Sequence, residues 1–253
     1  MLRLVEIAGD RHLETLRNCG GFYDCPKDSQ GRRLGPLVGY AGKYEGPNGK
    51  QLQWVGEVYA NFAKAEVHPN VLRFFATCLS GRIYSQFRSI DVDVLCEAPI
   101  GGYALGTAIG IANDLQMIKA EKKITALATP TSREKSELVF GRHSVVAGQR
   151  YVIVEDVCNN FSTTEQLIQL IHSFGGEVIA IVCFLNRSTT IEDQFSSPIL
   201  ARSIPVISLV RRVIREWKQD DPEVAEDVAS GNVVWKPKDD WDRLMRAMEE
   251  NRE

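Results

Sequence analysis

Apolar residues along this chain come in short, near-continuous runs separated by polar or small-residue stretches. Tyr151–Val154 is one such run. Others are V-L-C before Glu97, E-V-I-A-I-V-C-F-L-N-R from Glu177 and I-P-V-I-S-L-V from Ile204. Between them lie a small-residue stretch from Ile100, I-G-G-Y-A-L-G-T-A-I-G-I-A-N-D-L, and an amphipathic run, Glu165–Phe174. Continuous apolarity predicts strands buried on both faces, and the alternation with helices predicts an α/β fold with a parallel sheet flanked by helices.

The flanks read differently. Residues 10–18 predict a short helix that stops at Gly20-Gly21. From Phe22 to Gln53 the chain is rich in Gly, Pro, Lys and Tyr, which predicts turns, hairpins or a hood. A strand is expected over 52–62, a helix over Pro69–Leu79 and a short strand over Q-M-I-K-A-E from Gln116. Lys119–Arg150 is long and polar. After Arg211 the chain becomes charged and closes on a helix whose Trp241, Leu244, Met245 and Met248 share one face. The expected division is an N-terminal hood over 1–70, a core over 71–212 and a charged C-terminal helical extension over 213–253.

Bulk numbers narrow the partners. The 253 residues are 44% hydrophobic and 25% charged with a net charge of −3, which gives no electrostatic case for nucleic acid or an anionic membrane. No apolar run is long enough to span a bilayer, the first residues lack the apolar core of a signal peptide, and the expected compartment is the cytosol. None of the six cysteines forms a CxxC pair, so they read as reduced thiols filling apolar space.

The chemistry concentrates at Tyr151–Thr164. Two acids, Glu155 and Asp156, cap a buried strand, and Asn159-Asn160-Phe161-Ser162-Thr163 open a helix. Carboxylates only accept hydrogen bonds and suit a diol. Free amides and hydroxyls at a helix start suit a phosphate. Together they describe a grip for a ribose 5-phosphate.

This stretch resembles the PRPP-binding motif of type I phosphoribosyltransferases: four apolar residues, two acids, an apolar pair and a five-residue loop. The resemblance implies that Glu155 and Asp156 hold the ribose hydroxyls and that Asn159, Asn160, Ser162, Thr163 and Thr164 hold the 5-phosphate. It implies that Ile100, Gly101 and Gly102, after Glu97-Ala98-Pro99, form the pyrophosphate loop. Lys119-Ala120-Glu121-Lys122-Lys123 resembles the Arg-Lys-Glu-x-Lys entry to the mobile loop of orotate phosphoribosyltransferases. Lys119 and Lys123 are thereby implied as pyrophosphate-side cations, with Arg133, Lys135, Arg142 and His143 as further cations. Ala41-Gly42-Lys43 and Asn61 resemble that group's hood, which makes Lys43 a ligand candidate.

Two positions depart from the pattern. Ala120 stands where a lysine is usual, and Phe161 stands where the loop usually has glycine. Phenylalanine reaches positive φ at a higher cost, so the expectation is a loop of another shape or a weaker hold on the phosphate. The implied function is transfer of the 5-phosphoribosyl group of PRPP to a nucleobase, orotate foremost, with Lys123, Asp156 and Glu155 catalytic. Mg²⁺ is implied through PRPP beside Asp156 and Glu155, and a homodimer is implied. The alternatives are a type I transferase for another base, or a non-catalytic PRPP-binding regulator on the same fold.

Overall fold

The computed structural model describes residues 11–87, 91–126 and 135–251. They form two compact units. One contains residues up to His12 together with Glu66–Val213, and the other Leu13–Ala65 together with Ile214–Glu253.

In chain order, residues 11–18 are helical. Strands β1 (Phe22–Asp24), β2 (Leu37–Glu45), β3 (Gln51–Gly56) and β4 (Val58–Ala60) follow. Then come helix α1 (Pro69–Gln86), β5 (Val94–Glu97), α2 (Gly102–Asn113), β6 (Gln116–Lys119), β7 (Glu121–Ala126) and β8 (Lys135–Val139). The core continues with β9 (Arg150–Cys158), α3 (Ser162–Ser173), β10 (Glu177–Asn186), β11 (Gln194–Phe195) and β12 (Ile204–Arg211). The tail adds β13 (Val233–Val234) and α4 (Trp241–Glu250).

The larger unit is an α/β structure built on a six-stranded sheet of order β11-β12-β10-β9-β5-β6. All neighbours are parallel except the edge strand β11, which pairs antiparallel with β12. The central strands are apolar on both faces because both faces are covered: Val152 and Val154 are as buried as Tyr151 and Ile153. Register places the catalytic candidates at one edge. Glu97 lies opposite Lys119 on one side and opposite Val154 on the other, so β6 and β5 end level with each other while β9 runs on past them to Cys158. In open parallel sheets, ligands sit beyond this edge.

The long polar segment after Lys119 is a hairpin arm rather than a loop: β7 and β8 pair antiparallel, with Lys123 opposite Glu137. The helix expected over Pro69–Leu79 runs on to Gln86, and the strand expected over 52–62 divides into β3 and β4.

The smaller unit is assembled from both flanks of the chain. β2 pairs antiparallel with β3 and parallel with β13. Its core combines Leu37 and Val55 with Trp217, Val224 and Val233. Arg33 bridges Glu57 at 2.6 Å and Asp227 at 3.0 Å. The apolar face of α4 buries Trp241 and Leu244, and the Trp241 indole N–H donates to the Gly20 carbonyl at 2.9 Å. Among the described residues, no helix is long and apolar enough to cross a membrane.

Candidate functional site

β9 is buried from Tyr151 to Val154 and becomes half-buried at Glu155 and Asp156, two residues before it ends at Cys158. The Val157 amide donates to Asp156 Oδ1 at 2.8 Å, which fixes that carboxyl group at the strand end. The chain then turns into α3 through Asn159–Phe161. Asn160 Oδ1 accepts from the Ser162 amide at 3.1 Å, and the Phe161 carbonyl accepts from the Glu165 amide at 2.8 Å. The amides of a first helical turn have no carbonyl partner within the helix. Here Asn160 engages that of Ser162, which leaves those of Thr163 and Thr164 as the donors that helix geometry offers an anion. Ser162 is exposed, Thr163 half-buried and Thr164 buried.

Phe161 takes a backbone conformation that is costly for a residue with a side chain. Its φ of 57° and ψ of 17° are left-handed, the conformation that glycine adopts most cheaply. The ring is 3% exposed and packs in the sheet's core cluster. Burying a phenylalanine side chain is worth about 2 kcal/mol or more, which outweighs the roughly 1–2 kcal/mol cost of a left-handed residue. Apolar packing thus holds a backbone shape for which glycine is otherwise used.

The loop after β5, whose Pro99–Ile100 peptide bond is cis, lies directly on the β9 tip. The Ala98 amide donates to the Val154 carbonyl at 2.9 Å. A Cβ on Gly101 would fall 2.3 Å from Asp156 Cγ and Oδ1, and one on Gly102 would fall 2.2 Å from the Val154 carbonyl oxygen. Both glycines are therefore dictated by close approach to β9. Ile100, beside them, is 76% exposed.

Next to this loop opens a cavity of about 600 Å³ lined by Pro99, Ile100, Tyr103, Lys119, Glu121, Lys122, Arg142 and His143. The Lys119 amide donates to His143 Nδ1 at 3.3 Å. Arg142 is well exposed and reaches Glu121 at 3.5 Å. Lys123 is exposed on β7 and does not line this cavity; Lys122 does. Arg133 lies outside the described residues. Lys43 lies on β2, in the smaller unit.

Two residues that sequence reasoning left unassigned stand at the same sheet edge. Arg187 follows β10 and is 7% exposed, and its amide donates to the Cys158 carbonyl at the base of the loop. An arginine placed directly after a continuous apolar strand was the available signal, since arginine is rarely buried without a specific partner. Glu97 is fully buried at the end of β5. Burial pushes its carboxyl group above the usual carboxylate range, against the Thr107 hydroxyl and the Lys119 ammonium, which favour its charge.

Among the described residues, no cluster of three or more His, Cys, Asp or Glu could cage a metal ion. Two adjacent carboxylates at a strand tip fit Mg²⁺ nonetheless, because that ion keeps several waters and is shared with substrate oxygens. Glu155 and Asp156 are the residues that would stand beside it.

No family model matches the chain. An orotate phosphoribosyltransferase from Caldanaerobacter subterraneus subsp. tengcongensis is 24% identical over 165 residues, covering 65% of this chain and 75% of that protein. An adenine phosphoribosyltransferase from Ruminiclostridium cellulolyticum is 29% identical over 102 residues, covering 38% of this chain and 59% of that protein. Among solved structures, an orotate phosphoribosyltransferase from Aeropyrum pernix superposes with a TM-score of 0.49 at 14% identity, over 78% of this chain and 92% of that one. The chain spans three quarters of the first relative and about six tenths of the second.

Proposed function

We propose that this chain, a phosphoribosyltransferase-family protein resembling orotate phosphoribosyltransferases, transfers the 5-phosphoribosyl group of PRPP to a nucleobase with release of pyrophosphate, orotate being the base. The observation that carries this reading is the contact of Asp156 with Gly101. It joins carboxylates suited to a ribose diol to a small-residue loop suited to a diphosphate, and the strand before that loop ends at Glu97, opposite Lys119.

In this reading the residues work mainly by position and charge. Glu155 and Asp156 accept from the ribose hydroxyls. Asn159, Asn160, Ser162, Thr163 and Thr164 receive the 5-phosphate at the start of α3. As the glycosidic bond lengthens, positive charge builds on the ribose and negative charge on the departing pyrophosphate. The backbone of Ile100–Gly102 and the cations Lys119 and Lys123 answer that charge. Bound Mg²⁺ supplies further charge neutralisation on the pyrophosphate.

Orotate is favoured over an uncharged base because it carries a carboxylate. Arg187, buried directly after β10, is the cation this reading assigns to that carboxylate, since guanidinium–carboxylate pairs are among the strongest polar contacts. The second reading is adenine, supported by the adenine phosphoribosyltransferase among the relatives. The reading also implies a cytosolic homodimer, which light scattering at micromolar concentration tests.

The deciding experiment is pyrophosphate release from PRPP and Mg²⁺ with orotate, adenine and other bases in separate reactions. Release with orotate alone is expected. Release with adenine alone moves the assignment to the second reading. No release with any base, with PRPP still bound, identifies a regulator and overturns the proposal.

A further inference from the structure

We infer that Glu97 and Tyr103 are positioning residues that hold the Lys119 ammonium at the cavity wall for the departing pyrophosphate; this rests on the transferase reading above. The starting point is a carboxylate that stability alone does not explain. Glu97 is fully buried, and burying a carboxylate is unfavourable unless its partners are close and well aligned. Its partners are sparse. The Thr107 hydroxyl donates to Oε1 at 2.9 Å, while Lys119 Nζ stands 3.5 Å from Oε2, too far for a strong hydrogen bond. A neutral side chain of similar volume would serve the core at least as well.

The surrounding chain nevertheless makes room for this charge. A Cβ on Gly106 would fall 2.5 Å from Glu97 Cγ, so α2 carries glycine at a buried, mid-helix position facing the carboxylate. Glycine within a helix is unfavourable relative to alanine. Two unfavourable choices, a buried acid and a helical glycine, therefore coincide at one point.

What they serve is visible from Lys119. Register sets this residue directly opposite Glu97 on the neighbouring strand. Its Nζ also lies 5.2 Å from the centroid of the Tyr103 ring, within cation–π range. The Tyr103 hydroxyl donates to the Ala120 carbonyl, which fixes the ring against the end of β6. The ammonium is thus held from one side by a carboxylate and from another by an aromatic face. The Lys119 side chain is still 40% exposed, and it lines the cavity with Lys122, Arg142 and His143. A lysine free to sample its rotamers would lose entropy on meeting an anion; one held in place would not.

The test is calorimetric titration of wild-type protein, Glu97→Gln and Tyr103→Leu with Mg²⁺-pyrophosphate and, separately, with ribose 5-phosphate, alongside urea denaturation and steady-state kinetics. For Glu97→Gln the expected results are unchanged or increased stability, ribose 5-phosphate affinity within about twofold, and pyrophosphate affinity and kcat lower by about tenfold or more. Tyr103→Leu is expected to move pyrophosphate affinity in the same direction, and Glu97→Asp to recover part of the loss. A purely electrostatic role predicts the opposite sign, since removing a negative charge beside an anion site tightens binding. Tighter pyrophosphate binding by Glu97→Gln overturns the inference, as does an equal loss for both ligands accompanied by lower stability. Wild-type protein that binds neither ligand overturns the transferase reading first, and the inference with it.

Discussion

The Phe161 ring stacks on the ring of Phe195, with centroids 5.3 Å apart and planes 23° from parallel. Through that contact the short edge strand β11 braces the start of α3. A second tie runs beside it, from the Ser197 hydroxyl to Glu165 Oε1 at 2.7 Å. Removing the ring creates a cavity, so Phe161→Ala is expected to lose about 3–5 kcal/mol of stability. Phe161→Gly loses the same ring but relieves the left-handed backbone, and is expected to retain about 1 kcal/mol more than the alanine variant. Urea denaturation of the two variants in parallel checks the order, and the reverse order would remove backbone strain from the explanation.

Gly101 faces the carboxylate that the proposed reaction depends on. In Gly101→Ala the new methyl group cannot coexist with Asp156 in its present rotamer, because Cβ would fall 2.3 Å from Asp156 Cγ. The expected outcome is a folded protein with PRPP affinity reduced at least as far as in Asp156→Asn. Titration of both variants with PRPP measures this, and wild-type affinity in either one contradicts the assignment of that strand tip to the ribose.

Arg187 separates the two candidate bases. If its guanidinium meets a base carboxylate, Arg187→Ala raises KM for orotate by a factor on the order of thirtyfold to several thousandfold, the range for truncating one partner of a buried charged pair. KM for PRPP changes far less. Equal increases for both substrates would assign Arg187 to holding the loop through its contact with Cys158 rather than to the base.

Asp93 gives a pH dependence away from the site. Side-chain and backbone hydrogen bonds from Arg150 hold its carboxyl group below the usual carboxylate range, with Arg150 Nε 3.0 Å from Oδ2. The unfolded value is about 3.9, so the folded state binds fewer protons and the pairing stabilises the protein above that pH. The contribution fades as pH falls through the lowered folded value. Asp93→Asn is therefore expected to be less stable than wild type at pH 7, with the difference shrinking as the solution is acidified below about pH 4. Denaturant midpoints at both pH values read the difference directly.

Much of the larger unit was legible because its signals are local. Continuous apolar runs ending at Glu97, Glu155-Asp156 and Asn186 report strands covered on both faces, and the sheet has them. Less local features escaped. The β7–β8 arm is largely exposed, and its pairing depends on a partner across a gap in sequence rather than on periodicity. Phe161 was read through local backbone cost alone. The ring that offsets that cost packs on Phe195, a neighbour no window of sequence contains. Glu97 was visible as a strand end, but its notch at Gly106 exists only once α2 lies on β5. The charged tail after Arg211 gave no sign that Val233-Val234 would add a strand to β2, because two residues carry too little pattern to identify a strand.

That last pairing orders the chain in time. β2 is among the first strands made, yet one of its two neighbours is β13, and the core around Leu37 and Val55 waits for Trp217, Val224 and Val233. At ordinary synthesis rates the wait is roughly ten to forty seconds. During it the whole α/β sheet from β5 to β12 emerges with every strand it needs, while β2 keeps one edge open to unwanted partners. The sheet begun first is thus the one completed last, and a nascent chain halted after β12 would hold one finished sheet and one unfinished.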